Sequence, residues 1–310
     1  MIIINAVLKD YDLITDGGTG ETQLIDKATG ECKRTYTVTI PEGTKIITPK
    51  DQERNEERKK HCELKQRRRW VSNSLGGYFF VSTGEQFKDI SPESVTRLIY
   101  LNTFIRYDSN NKLMLTERTP MQRKHLHTVL GVSEATISRF WRETCPKYIC
   151  ETTDGIILTN ADMFIKGNLK HSKDFVFYQK FFIDGIRKLY KSVNKRHHKQ
   201  LGYIFKLLPY INVEHNLICY DQLETDLDKI ELISISNFCE LIHYDISHLN
   251  KLIKIFNDIT FDVNGKQERF CSIVYSGLNR KNAKIFINPH IFYAGTNYEH
   301  VKILGAFCRD

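Results

Sequence analysis

Apolar positions change their period several times along the chain. Residues 1–48 hold short β-prone pieces punctuated by Gly17-Gly18 and Ala28-Thr29-Gly30. Thr35 to Ile40 alternates β-branched and aromatic residues and predicts a strand, closed by a Pro41-Glu42-Gly43 turn. These features predict a β-meander or hairpin arm. Gly and Pro then disappear from 50–69, where helix formers take over. Ser91-Pro92-Glu93 opens a helix with Val95, Leu98, Ile99 and Leu101 apolar, and Leu113-Met114-Leu115 predicts a short strand. Thr119-Pro120-Met121-Gln122 is a second helix start, followed by Leu126 and Leu130 one turn apart. Gly131 suits the left-handed residue that ends this helix. Val132 is placed to plug the core, and Ser133 can cap the next helix, whose buried stripe is Ile137, Phe140 and Trp141. Tyr148 to Cys150 and Gly155 to Leu158 predict two strands joined by a Thr-Asp-Gly turn. Helix, strand, helix-turn-helix and hairpin come in the order of a winged helix.

The face left outside on the second helix carries Ser133, Glu134, Thr136, Ser138, Arg139 and Arg142. A short polar, Arg-bearing face of this kind is what enters a major groove. The same unit recurs after a shift of 112 residues, where Leu130-Gly131-Val132-Ser133 meets Ile242-His243-Tyr244-Asp245. Asp245 takes the capping place of Ser133, and His243 replaces the turn glycine. The second outward face carries Ser247, His248, Asn250, Lys251 and Lys254, with fewer acids, so it is expected to bind DNA at least as well as the first. Each unit ends on an echo: Asn160, Phe164 and Gly167 share the spacing N-x3-F-x2-G with Asn288, Phe292 and Gly295. Between the units, Phe175, Phe177, Phe181, Phe182, Ile186, Leu189 and Tyr190 predict an aromatic-faced connecting helix. Tyr203, Ile204, Leu207 and Leu208 predict the next one, ended near Pro209.

Charge sharpens this picture only when it is located. The 310 residues carry a net charge of +8, a mild excess that permits a polyanionic partner without requiring one. Nine cations against five acids fall within 50–69, densest from Arg58 to Arg69, so Arg67, Arg68 and Arg69 are candidates for phosphate contact. A second basic stretch runs from Lys170 to Lys199, with nine cations and two acids. The loop from Ser276 to Lys284 carries Arg280, Lys281 and Lys284 with no acid, and is the better of the two hairpin tips for contacting DNA. The first tip holds Glu151 and Asp154. Five acids between Asp221 and Glu231 would repel a phosphate backbone.

Other chemistries are excluded by pattern. No apolar run approaches the roughly 20 residues of a membrane span, and no secretory signal opens the chain. The eight cysteines form no C-x-x-C pair, so a metal site is not expected and a reducing compartment is. No P-loop is present. His197-His198 do not alternate with apolar residues as nuclease histidines on a strand do. The expectation is a protein that is not an enzyme, with no cofactor and no metal.

The stretch Asn288-Pro289-His290-Ile291-Phe292-Tyr293-Ala294-Gly295, behind a helix-turn-helix, resembles the close of RepL-type replication proteins and related phage winged-helix proteins of low-GC Gram-positive bacteria. The resemblance covers roughly 200–296 and echoes faintly at 90–168. It implies a phage- or plasmid-encoded protein that binds double-stranded DNA in replication initiation or its control. The alternatives are a transcriptional regulator of phage genes and a winged-helix protein-interaction module. A homodimer partner, the host replication or transcription machinery and a place in the bacterial cytoplasm with the nucleoid belong to the same expectation. The expected fold is α+β and mainly helical, with tandem winged helix-turn-helix domains and a small β-rich N-terminal arm. Its parts are 1–75, the arm and charged helix; 76–168, the first winged helix; and 169–310, the connecting helix and second winged helix.

Overall fold

The computed structural model describes residues 11–15, 21–37, 49–83, 87–107, 109–167, 178–275, 280–295 and 307. By internal contacts the chain divides into two units, Met1–Gln66 and Arg67–Asp310. In the first unit, β1 (Tyr11–Thr15), β2 (Glu21–Asp26) and β3 (Cys32–Thr37) form an antiparallel meander. The β2–β3 turn is built by Asp26, whose carboxylate accepts from the Ala28 and Thr29 amides, and by Gly30 at φ +71°. Helix α1 (Pro49–Leu75) follows, and residues 52–67 of it are exposed on every side.

The second unit opens with β4 (Tyr78–Ser82), α2 (Pro92–Asn102), α3 (Leu126–Leu130) and α4 (Glu134–Thr144). The hairpin β5 (Ile149–Glu151) and β6 (Ile157–Thr159) and the short β7 (Phe164–Ile165) complete its first half. The second half follows the same order with one more helix and one more hairpin: β8 (Tyr178–Phe182), α5 (Ile183–Ser192), α6 (His198–Lys206), α7 (Ile235–Leu241) and α8 (Leu249–Asp258). The hairpin β9 (Thr260–Val263) and β10 (Lys266–Arg269) comes next. The hairpin β11 (Cys271–Val274) and β12 (Lys284–Ile287) follows, and β13 (Phe292–Tyr293) closes the half.

The halves meet in one four-stranded sheet, ordered β13-β8-β4-β7. The opening strands β4 and β8 pair antiparallel, with Phe80 opposite Lys180. Each half then adds its own closing strand outside, Phe164 against Val81 and Phe292 against Phe181. Antiparallel central strands flanked in this way are related by an internal pseudo-twofold axis. A single apolar core spans both halves, taking in Leu98, Leu126, Ile137 and Phe140 together with Leu201, Phe205, Phe238 and Phe256. Phe181 stacks on Phe292 at 5.0 Å and tilts against Phe79 at 5.8 Å. Each of these fully buried rings contributes about 2 kcal/mol of burial.

This arrangement corrects the mainly helical, tandem winged-helix expectation. Among the described residues the chain is mixed α/β, with eight α-helices and thirteen strands in five small antiparallel sheets. The decisive segment is Tyr178–Phe182, expected as part of a connecting helix and found as a central strand with Gln179 and Phe181 buried. A short aromatic run suits either element, and periodicity alone does not separate them. Only from Ile183 does the stripe become helical, burying Ile186, Leu189 and Tyr190. Phe175 and Phe177 lie outside the described residues. Residues 113–115 make isolated bridges rather than a strand, Leu113 with Ile105 and Met114 with Pro120.

The N-x3-F-x2-G echo has a structural cause. Asn160 donates its side-chain amide to the Lys147 carbonyl at 2.9 Å, and its backbone N–H to Tyr148. Asn288 does the same to Arg269 and Phe270, also at 2.9 Å through the side chain. In both, the side-chain oxygen accepts from the amide two residues on. Each Asn therefore pins the end of a hairpin and launches the Phe four residues later into the shared sheet. In the second half the Asn288 side chain also donates to Glu268, which His290 Nδ1 meets at 2.9 Å. Burial would raise the Glu268 carboxyl, but the bonds from His290 and Asn288 outweigh it and hold it below the ordinary carboxylate range.

The halves are also clamped by helices α2 and α6. Thr96 donates its hydroxyl to the His198 carbonyl at 2.7 Å, and a Cβ on Gly202 would lie 1.8 Å from the Pro92 carbonyl oxygen. Only glycine permits this approach. Gly202→Ala is expected to destabilise the second unit by roughly 3 kcal/mol or more, read as a lowered denaturant midpoint. Because the Glu268 carboxyl is held low in the folded chain, it adds stability above its unfolded range that is lost as pH falls through its folded value. Glu268→Gln is expected to flatten that acid limb of a stability-versus-pH curve.

Candidate nucleic-acid interface

Both helix-turn-helix turns form around a left-handed residue. Gly131 ends α3 at φ +60°, with its amide on the His127 carbonyl at 2.9 Å. His243 ends α7 at φ +53°, in the same region although it carries a side chain. The Ser133 side chain caps α4, accepting from the Thr136 amide at 3.4 Å. Asp245 accepts from the Ser247 amide at 2.9 Å and starts the single 3-10 turn that leads into α8. That bond holds the Asp245 carboxyl below its ordinary range. The left-handed residue and the capping residue two positions later thus fall at matching places in the two halves, although a 3-10 turn precedes the helix only in the second.

The inner faces are apolar. Ile137 and Phe140 on α4, and Leu249, Leu252, Ile253 and Phe256 on α8, are buried. Ser133, Glu134, Ser138, Arg139 and Arg142 are exposed on the first outer face, and Thr136 is half-buried beside Ser133. Ser247, His248, Asn250, Lys251 and Lys254 are all exposed on the second. The hairpin loop reaches this face: Arg280 Nη1 donates to Asn250 Oδ1 at 3.4 Å. Lys281 is exposed beside it on the turn Arg280–Asn282, while residues 276–279 lie outside the described ones. Lys284 departs from expectation. Its ammonium donates to the Leu232 carbonyl at 2.7 Å, which spends it on holding the loop 232–234 to β12. Arg67 and Arg69 are exposed on α1, and the side chain of Arg68 lies outside the described residues.

The folded chain adds a feature that periodicity missed. A groove of about 500 Å³ separates α8 from the segment after α5, with Ser192, Asn194 and His197 on one wall and Lys251 and Lys254 on the other. The first wall leans on the first helix-turn-helix, because Tyr190 donates its hydroxyl to the Leu130 carbonyl at 3.1 Å. The Lys195 ammonium lies against Gly131, 3.2 Å from where a Cβ would stand. The basic stretch 170–199 contributes Asn194 and His197 to this groove, and none of its lysines or arginines.

Comparison with protein-family models, curated proteins and solved structures finds no match. Among the described residues no helix is long and apolar enough to cross a membrane.

The two turns predict opposite responses to substitution. His243→Gly removes a side chain from a left-handed residue and is expected to stabilise the chain by about 1 kcal/mol. Gly131→Ala is expected to destabilise it by about the same amount. Thermal unfolding of both variants checks the pair.

Proposed function

We propose that the chain is a sequence-specific double-stranded DNA-binding protein that reads two half-sites with one polypeptide. The observation that carries this reading is the internal pseudo-twofold, which gives the two helix-turn-helix units related but unlike outer faces. Duplex DNA has the same kind of local dyad, so a pseudo-symmetric reader favours two half-sites in inverted orientation. Arg139 and Arg142 are suited to guanine O6 and N7, and Asn250 to adenine N6 and N7. Affinity comes chiefly from phosphates and specificity from these base edges. Arg280, held at Asn250, links the second hairpin loop to the same recognition surface.

The resemblance to RepL-type proteins supports a role for a phage or plasmid in replication initiation or its control. A regulator of transcription uses the same chemistry at a different place on the DNA. Footprinting separates the two: protection of iterated origin repeats supports the first, and protection of a promoter the second. Glu134 on the first outer face, with Glu151 and Asp154 on the first hairpin, favours a protein-interaction module as the competing reading. Such a module would bind its partner without a steep salt dependence.

Selection from a random duplex library is expected to return two unlike motifs about one helical turn, roughly 34 Å, apart. Arg139→Ala is expected to relax one motif and Asn250→Ala the other, each by about 1–3 kcal/mol of discrimination. Failure of the parent chain to select any duplex would overturn the reading.

A further inference from the structure

The two halves close the same bridge with loops of unequal length and opposite charge. Ile105 pairs with Leu113 in the first half, and Ile211 with Ile218 in the second. Lys112 then meets Leu158, and Leu217 meets Phe286, each just after an Asn at positive φ, Asn111 and Asn216. The next step matches again. The Leu115 amide donates to the Thr119 carbonyl at 2.8 Å, and the Tyr220 amide to the Glu231 carbonyl at 3.1 Å. Between those partners the first half uses three residues, 116–118, and the second uses ten, 221–230. A short turn is enough to close the bridge, so the fold does not account for the long loop.

That loop is held in place and presents apolar surface. The buried Asn212 side chain donates to the Glu224 carbonyl at 2.7 Å, and the Val213 amide to the Gln222 carbonyl at 3.0 Å. Tyr220, Leu223 and Leu227 stand exposed on it, Leu227 by 61%. Around them Asp221, Asp226, Asp228 and Glu231 are exposed as well. Lys229, paired with Asp226 at 3.1 Å, is the one cation of the loop. Large apolar side chains inside a charged rim are the anatomy of a protein interface.

The equivalent place in the first half has the opposite sign. Residues 103–125 hold five cations and two acids, whereas 207–234 hold one cation and six acids. Tyr107 is 64% exposed, and the Lys166 ammonium lies 5.2 Å from its ring centroid. Arg106 and Arg118 are exposed beside it, with Arg106 reaching Glu117 at 3.5 Å. Burial, and then Arg187 and Arg106, push the Lys166 ammonium down to about 8, against the opposing pull of Asp184. Cations thus crowd around an exposed ring.

We infer that the 220–231 loop of one copy docks on the Tyr107 face of the next, so that chains associate head to tail. Complementarity selects the occupant. Leu223 and Leu227 offer apolar anchors to Tyr107, and the acids around them meet Arg106, Arg118 and Lys166. The internal twofold puts the loop and the face on opposite sides of its axis, so each docked copy leaves one surface open. A heterologous contact of this kind builds open chains rather than closed dimers. The inference goes beyond the DNA-binding reading and does not depend on it.

The test is sedimentation velocity of the full chain without DNA, over a concentration series at low and high salt. Thermal melts confirm that the variants fold. The parent is expected to form species larger than a dimer, which dissociate as salt rises. Leu223→Ser with Leu227→Ser, and separately Arg106→Gln with Arg118→Gln, are each expected to weaken association about tenfold or more. Replacing residues 221–230 by Thr-Glu-Arg, the turn that the first half uses, is a second loop variant with the same expected loss. Mixed in equal amounts, the Ser and Gln variants have one intact loop and one intact face between them, so they pair and stop at a dimer. A parent that stays monomeric overturns the contact and leaves the loop to a different protein. A parent that stops at a dimer overturns the head-to-tail arrangement. Undiminished association of a folded variant, or no pairing in the mixture, overturns it too.

Discussion

The antiparallel pairing of Tyr78–Ser82 with Tyr178–Phe182 is the constraint on which the rest of the second unit depends. Two strands a hundred residues apart form the centre of one sheet, and each is capped by the closing strand of its own half. A duplicated chain with separate halves would need two cores and two sets of protected edges. Joined at β4 and β8, the halves share one core and leave only the two-residue strands β7 and β13 at the edges, which limits the unpaired backbone exposed there. Helices α2 and α6 close over this junction, and Gly202 allows their backbones to approach where any side chain would hold them apart.

Position follows from that junction. Because the halves cannot move as independent domains, the two helix-turn-helix units hold a fixed relation to each other. Residues that the fold leaves pointing outward from α4 and α8 are the ones suited to base edges. Lys284 shows the limit of reading charge from composition: in a basic loop by sequence, it is a structural donor to Leu232 in the folded chain.

Local features were legible because their causes are local. Gly131, Ser133 and Asp245 announce a left-handed turn and two caps through their own backbone and side-chain chemistry, and the folded geometry agrees at each. The alignment of His243 with Gly131 was legible for the same reason, since register survives a poor residue when its neighbours supply the caps and the core. The N-x3-F-x2-G echo was visible as a repeat, but its meaning was not. Only the pairing of Asn160 with Lys147, and of Asn288 with Arg269, shows it to be a fastening for the shared sheet.

By itself the sequence determined the two turns, the β-meander, the distribution of charge and most of the helix faces, although Trp141, expected in the buried stripe, is only half-buried. The tertiary structure decided that the aromatic run at 178–182 is a strand, because its partner strand at 78–82 supplies the hydrogen bonds that a helix would otherwise make internally. It also decided that the halves form one body and that Lys251 and Lys254 face a wall containing His197. Those outcomes depend on which distant surfaces bury one another, and no periodicity along the chain carries that information.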